Sequence, residues 1–264
     1  MPAALPLLLF LSGGPCPGEA PPGEANDYVR ALVGAQQRRE EALSRYAYDV
    51  REERERLDGD GRARHRSVRV FEVFHVEGRP VRRLVSRDGR ALAGAEREGE
   101  DRRVLELVEA IRGGRAASER PGVRLSRILE RFDFVAAGGE RIEERCTLVF
   151  DFASRPGDYE LDRDELLRQL SGRLWVDEAE RELVRLEVED AGGLRFALGL
   201  GGSLSALSFT MSFSRFEDGV WLPRRLEAHA EGRRFPFRRF RHRITTTYSG
   251  YRRFGVDVDE EIRE

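Results

Sequence analysis

The sequence contains no lysine, so all 46 of its Lys/Arg-type cations are arginine. That absence excludes a Walker-type phosphate loop, whose lysine reaches the terminal phosphates, and any chemistry through a lysine Schiff base. Arginine cannot stand in as a general base, because its guanidinium does not deprotonate in proteins. Histidine is also scarce. His65, His75, His229 and His242 form no HExxH pattern and have no CxxC beside them. His75 and Glu77 give the first half of a zinc-deaminase signature, but the cysteine pair that completes it is missing. No GxSxG nucleophile elbow occurs. The four histidines therefore read as strand-surface or edge residues, and no metal or other cofactor is expected.

Long apolar runs are absent too. The longest near the N-terminus, residues 3–11, is far shorter than the about 20 residues a membrane-spanning helix needs. It reads instead as the apolar part of an export signal. A Gly/Pro/Glu-rich stretch follows, with small-residue cleavage sites at Ala20 and Ala25. Pro21 disfavours the first, so cleavage is expected after Ala25, and residues 1–25 are assigned to a signal peptide and processing region. No basic residue precedes the apolar run, a departure from the usual signal. Cys16 lies where a lipid anchor would attach, but Pro15 fits a lipidation motif poorly. If Cys16 is removed, Cys146 is left as a single thiol, able to form neither an intramolecular disulfide nor a cysteine metal cluster.

What is present favours strands. Hydrophobic residues make up 40% and charged residues 36%, with aromatic and β-branched residues spread along the chain, too many for disorder. The net charge of −2 does not mark a polyanion binder. Residues 26–43 read as a helix capped by Asn26 or Asp27, with Tyr28, Val29, Leu32, Val33 and Leu43 near one face. Strand alternation begins at Tyr46, Tyr48 and Val50. A turn at 58–61 leads to a return strand, residues 62–76, with apolar residues on both faces, so packing is expected on each side. After a turn at 77–80, a strand covers 81–86. Residues 96–112 read as a helix with Val104, Leu105, Leu107, Val108 and Ile111 on one side, ended by Gly113 and Gly114. A short helix at 125–131 precedes strands at 132–136 and 142–152, and a helical turn is expected at 162–170. From Gly172 the chain reads as a meander with strands at 174–176, 183–188, 194–200, 207–213, 220–222, 225–230 and 234–251. In the last of these, Phe235 and Phe237 fall on the opposite parity to Phe240, His242 and Ile244, which predicts a β-bulge at Arg238 and Arg239. No linker follows residue 26, so residues 26–264 read as one domain.

Three stretches carry a resemblance. The strand–acidic turn–strand run GRLWVDEAERELVRLE at 172–187, WLPRRLE at 221–227 and YSGYRRF at 248–254 are similar to segments of the LolA-like family, the outer-membrane lipoprotein-sorting proteins of Gram-negative bacteria. The resemblance implies a mainly β (α+β) fold: one strongly curved antiparallel sheet, an unclosed half-barrel, with helices over its concave face. It also implies a periplasmic or cell-envelope protein holding a lipid or lipoprotein acyl chain between sheet and helices.

The residues themselves offer no catalytic constellation. Acidic pairs such as Glu52–Glu53, Asp58/Asp60 and Glu143–Glu144 sit among arginines and read as solvated faces and turns. The glycine-rich residues 199–203 lack a following helix and read as a loop or bulge. Residues 233–243 interleave six arginines with Phe235, Phe237 and Phe240. Export argues against nucleic acid as their partner, which leaves an outward arginine row or a reader of anionic lipid headgroups or of a lipoprotein. Leu207 joins the expected wall of an acyl-chain cavity: Tyr46, Tyr48, Phe74, Phe196, Leu198, Phe209, Met211 and Phe213. The alternative is an ordinary closed core. Two readings stand: a non-enzymatic monomer that binds a hydrophobic ligand, and a protein-interaction or regulatory module for an envelope partner on the same fold with a filled core. An enzyme is a third and weaker one.

Overall fold

The computed structural model describes residues 16, 24–115, 125–155, 168–189, 194–196, 202–216, 219–234 and 238–253. Among them are three helices, α1 (Ala25–Leu43), α2 (Gly94–Arg112) and α3 (Leu125–Arg131). The first strands are β1 (Tyr46–Leu57), β2 (Ala63–Val76), β3 (Arg79–Arg87), β4 (Arg90–Ala91), β5 (Phe132–Ile142) and β6 (Arg145–Ser154). The meander follows as β7 (Ser171–Asp177), β8 (Leu183–Glu189), β9 (Leu194–Phe196), β10 (Gly202–Arg215), β11 (Trp221–Arg234) and β12 (Arg238–Arg253). All join one antiparallel sheet in the order β4-β3-β2-β1-β12-β11-β10-β8-β7-β6-β5, with β9 pairing β10 off this path. The two ends of the order do not meet, so the sheet is an unclosed half-barrel.

Most neighbours in the sheet are neighbours in sequence, because tight turns return each strand beside the last. Glu77 and Gly78 both take positive φ, 50° and 72°, as a two-residue hairpin turn requires. Asp58 Oδ1 accepts from the backbone N–H of Asp60 and Arg62, closing the β1–β2 turn. Asp177 Oδ1 does the same for Ala179 and Glu180 between β7 and β8. Two pairs break local pairing: β10 reaches past β9 to β8, and β1 pairs with the distant β12, which puts Tyr46 opposite Arg253.

Directly opposed residues share a face, and three packed clusters follow from this. The largest sets Phe132, Phe134, Phe150, Phe152, Leu174, Val176, Leu186 and Val188 of β5–β8 under Val29 and Leu32 of α1 and Leu129 of α3. Glu40 of α1 accepts from the backbone N–H and the hydroxyl of Ser126, holding the start of α3 against α1. A second cluster joins Tyr46, Tyr48, Val50, Val73 and Leu222 on the same face. The third, Val81, Val104 and Ile111 with Phe74 and Val76, lies beneath α2. Val73 and Phe74 are consecutive in β2 and point to opposite sides, so α2 packs on the reverse of the sheet from α1. The doubly apolar β2 read from the sequence has a partner on each side.

Several local expectations change. Asn26 does not cap α1, whose first residue follows Glu24; its Oδ1 accepts the N–H of Phe134 on the edge strand β5 instead. Leu105 turns away from the packed side of α2 and is 62% exposed. The break between β5 and β6 falls at Glu143 and Glu144. The glycines near 138 are absorbed into β5 as a bulge, with Gly138 at φ 108°. β11 runs unbroken through Pro223, which sits beside a register shift at Ser212 and Phe213, where a strand tolerates a missing N–H. The parity switch near Arg238 is a reversal of direction, not a bulge: Arg234 of β11 pairs with Arg238 of β12, and the connecting residues, Phe235 and Phe237 among them, lie outside the described residues. Most of the helical turn expected at 162–170 also lies outside them. Cys16 and Cys146 are joined in a disulfide, so in the intact chain Cys146 is not a single thiol.

Two measurements check this fold. A Cβ on Gly172 would overlap the carbonyl of Glu187 on β8, a backbone atom that cannot step aside. Gly172→Ala should lower unfolding stability by about 1–3 kcal/mol in denaturant titration; an unchanged midpoint would contradict the β7–β8 register. Peptide mapping of the full chain, folded in oxidising buffer and digested without reductant, should recover the Cys16 peptide linked to the Cys146 peptide. An exported form beginning at residue 26 would carry Cys146 unpaired.

Candidate functional site

The face that carries α1 changes character across the sheet. Cross-strand pairing aligns Val188, Phe209, Ala228, Ile244, Arg54 and Ser67 in one row over β8, β10, β11, β12, β1 and β2. The next row reads Leu186, Met211, Leu226, Thr246, Glu52 and Arg69. Each begins in the buried core and meets charge at β1, at Arg54 in the first row and Glu52 in the second. Strands lie about 4.8 Å apart, so the apolar part, from β8 to β12, runs roughly 14 Å. On the reverse of β11 and β12 stand Arg225, Glu227, His229, Arg241 and Arg243, which makes these strands amphipathic with period two.

Leu207, Phe209 and Met211 are half-buried and lean on the main core. Leu226, Ala228, Ala230 and Ile244 are also half-buried but belong to none of the three packed clusters. Among the described residues they form an apolar surface beside the core and outside its packed clusters.

At the charged end lies Glu52, whose side chain is 7% exposed. Arg69 Nη2 donates to Glu52 Oε1, Arg82 Nη2 stands 3.5 Å from Oε2, and Arg54 Nη2 stands 3.6 Å from Oε1. Burial pushes the Glu52 carboxyl up, but the hydrogen bond from Arg69 and the charges of Arg69, Arg82 and Arg54 outweigh it, holding the pKa below the ordinary value. The Phe71 ring lies beside two of these guanidiniums, Arg82 at 4.0 Å and Arg69 at 5.5 Å from its centroid. Arg54 Nε is buried with no hydrogen-bond acceptor among the described residues. A buried donor left this way costs about 1–3 kcal/mol.

A tyrosine cluster adjoins the arginines. Tyr48 packs against Tyr251 and Tyr248, with ring centroids 5.1 and 6.2 Å away. Burial, then the neighbouring Tyr248, pushes the Tyr48 phenol up to about 12. Burial raises Tyr251 and Tyr248 as well, so all three stay neutral at physiological pH. His75 Nδ1 lies 3.2 Å from the Tyr46 carbonyl, and burial holds its pKa below the ordinary histidine value.

The residues expected to wall a cavity are thus divided. Phe209, Met211 and Phe213 lie together on the α1 face. Tyr46 and Tyr48 share that face but are buried in the second cluster. Phe74 is on the reverse under α2 and cannot join them. Phe196 falls in β9 without a described side chain, and Leu198 lies outside the described residues. A cleft of about 280 Å³ lies elsewhere, between α1 and the β8 and β11 strands, with Arg38, Arg39, Glu182 and Trp221 in its walls. None of the expected wall residues borders it. Glu52, Arg54, Arg69 and Arg82 were missed by reading charge pairs as solvated, although Glu52 and Arg54 continue the parity of Tyr46, Tyr48 and Val50. In the arginine-rich segment, Arg241 pairs with Glu231 and Arg243 with Glu55, which ties part of that row to its neighbours. Among the described residues no group of three His, Cys, Asp or Glu could hold a metal ion, and no helix is long and apolar enough to cross a membrane.

No family model and no curated protein matches the sequence. Solved structures do match along most of its length. The chain is similar to a domain named for outer-membrane lipoprotein sorting from Vibrio parahaemolyticus, at 10% identity and TM-score 0.41, over 89% of this chain and 95% of that one. It is similar to a DUF1329 family protein from Desulfovibrio piger at 11% identity and TM-score 0.36, over 89% and 94%. A LolA superfamily protein from Nitrosomonas europaea matches at 12% identity and TM-score 0.29, over 84% and 94%. Two of these three names, lipoprotein sorting and LolA superfamily, are those of the family that the sequence resembles. Likeness at this level carries no argument about ligand or chemistry.

The Glu52 cluster makes a pH-dependent prediction. A carboxyl whose folded pKa lies below its unfolded value adds stability that is complete above about 4.5 and is lost as pH falls through the folded value. Glu52→Gln leaves three guanidiniums facing one another, and should cost about 3 kcal/mol at pH 7. The gap to wild type should close as pH falls below 4.5. Thermal unfolding of both proteins across pH checks this, and a pH-independent gap would mean that Glu52 acts through shape alone.

Proposed function

We propose that the protein binds a hydrophobic ligand, a lipid or a lipoprotein acyl chain, on the α1 face of β10–β12, and does so without catalysis. The observation that carries this reading is the half-buried apolar surface of Leu226, Ala228, Ala230 and Ile244 beside Phe209 and Met211. Each methylene that such a surface takes from water contributes about 0.8 kcal/mol. Phe209, Met211 and Phe213 are retained as wall residues. Tyr46 and Tyr48 bound the site from the adjoining cluster, and Phe74 has no place in it. The protein acts as an exported monomer in the periplasm or cell envelope. An oxidising compartment suits the Cys16–Cys146 bond, which the cytosol would keep reduced. A signal ending before Cys16 keeps that bond, whereas one ending at Ala25 discards it.

A second reading is a protein-interaction or regulatory module for an envelope partner. It draws on one observation: β5–β8 are packed solid against α1 and α3, and the cleft of about 280 Å³ lies away from the apolar surface. Ligand pockets usually begin near that volume.

Native mass spectrometry of the full chain, purified from a membrane-containing host, separates the two. The first reading expects bound lipid or uptake of a fluorescent fatty-acyl probe, weakened about tenfold or more by Phe209→Ser or Ile244→Ser. Protein that is apo and takes up no probe supports the interaction module instead.

A further inference from the structure

Three guanidiniums surround the one carboxylate of Glu52, so the cluster has two positive charges more than it can neutralise. The arginines remain reachable, with side chains 34%, 34% and 25% exposed at Arg54, Arg69 and Arg82. Arg54 Nε is buried and has no acceptor among the described residues. Arg54 is the direct cross-strand neighbour of Ile244, so the unfilled donor begins where the apolar row stops. Phe71 braces Arg69 and Arg82, which lowers the ordering cost of holding an anion between them. Guanidinium forks match carboxylate and phosphate oxygens in geometry.

We propose that Arg54, Arg69 and Arg82 bind the anionic head, a carboxylate or phosphate, of an amphiphile whose acyl chain lies along Ile244, Ala228 and Phe209. This rests on the acyl-binding reading above and adds the chemistry of the ligand's other end. Glu52 holds the arginines apart and in register, and the incoming oxyanion takes up the charge that Glu52 leaves. The ligand lies across the strands, head at β1–β3 and tail toward β10.

The test is a titration of the full chain with cis-parinaric acid, a fluorescent fatty acid, and with its methyl ester, which keeps the chain and loses the charge. The acid should bind about tenfold tighter or more, the range of a charge-assisted hydrogen bond. Arg54→Gln and Arg82→Gln should each bring the acid toward the ester's affinity and leave the ester unchanged. Lysophosphatidate should displace the acid, and inorganic phosphate at the same concentration should not. Equal binding of acid and ester by wild type overturns the head-group assignment and leaves acyl binding standing. Displacement by inorganic phosphate alone overturns the amphiphile in favour of a bare anion site. Binding of neither probe sinks both readings. The acid–ester comparison needs no variant, so a variant that fails to fold does not remove the test.

Discussion

The ladder between β1 and β12 is the constraint on which the rest of the molecule depends. It pairs Tyr46 with Arg253 and Arg54 with Ile244, joining the first strand to the last and making one sheet out of two runs of hairpins. It also decides which chemistry meets which. With this register Thr246 stands opposite Glu52, and the apolar residues of the C-terminal meander run directly into the arginines of the N-terminal hairpin. A slip of one residue would turn Glu52 and Arg54 to the reverse face and bring Glu53 and Glu55 inward. Those two now pair outside with Arg66 and Arg243. The register is held by the buried tyrosines and by Val50, which cannot change sides without emptying the second cluster.

A buried carboxylate ringed by arginines is a poor way to stabilise a sheet. The desolvation of both partners offsets much of the attraction, and an apolar set of similar volume would serve stability as well or better. The reverse of β1 shows the cheaper arrangement: Glu53 with Arg66 and Glu55 with Arg243, near solvent and individually worth little. Glu52 faces the side where Val50 and Tyr48 are buried. Holding arginines on that side, with one donor unfilled, makes more physical sense for recognition than for folding.

Much of this was legible in the sequence. The alternation of Leu207, Phe209, Met211 and Phe213 identified the apolar face of β10, because a half-buried strand exposes its pattern with period two. The turn at 58–61 was legible from its glycines, of which Gly61 takes the positive φ, and the structure adds the side-chain bonds of Asp58 and Asp177 that close this turn and the acidic one between β7 and β8. The charged end of the site was not. Adjacent Glu52 and Glu53 look alike in composition, and only the continued parity from Tyr46 separates the inward from the outward one. The side taken by α2 was hidden for a similar reason, since β2 is apolar on both faces and nothing local says which helix takes which. The break between β11 and β12 was read at 231–233, several residues early, because arginines flank the true strand ends on both sides and hide where β11 stops.

The lack of lysine takes on a second meaning at this site. An arginine-only basic set follows from composition alone on the surface, where Arg and Lys are nearly exchangeable. Beside Phe71 they are not. A guanidinium can stack on a ring and still direct its N–H groups at a carboxylate, as Arg82 does between Phe71 and Glu52. An ammonium offers a strongly hydrated point charge with no planar face to stack, and burial would pull its pKa down toward neutrality. Three lysines in place of Arg54, Arg69 and Arg82 would shed charge to relieve their crowding. Three arginines cannot, and so they keep a fixed positive field at the end of an apolar surface, which only an anion arriving with a hydrophobic chain would satisfy at both ends.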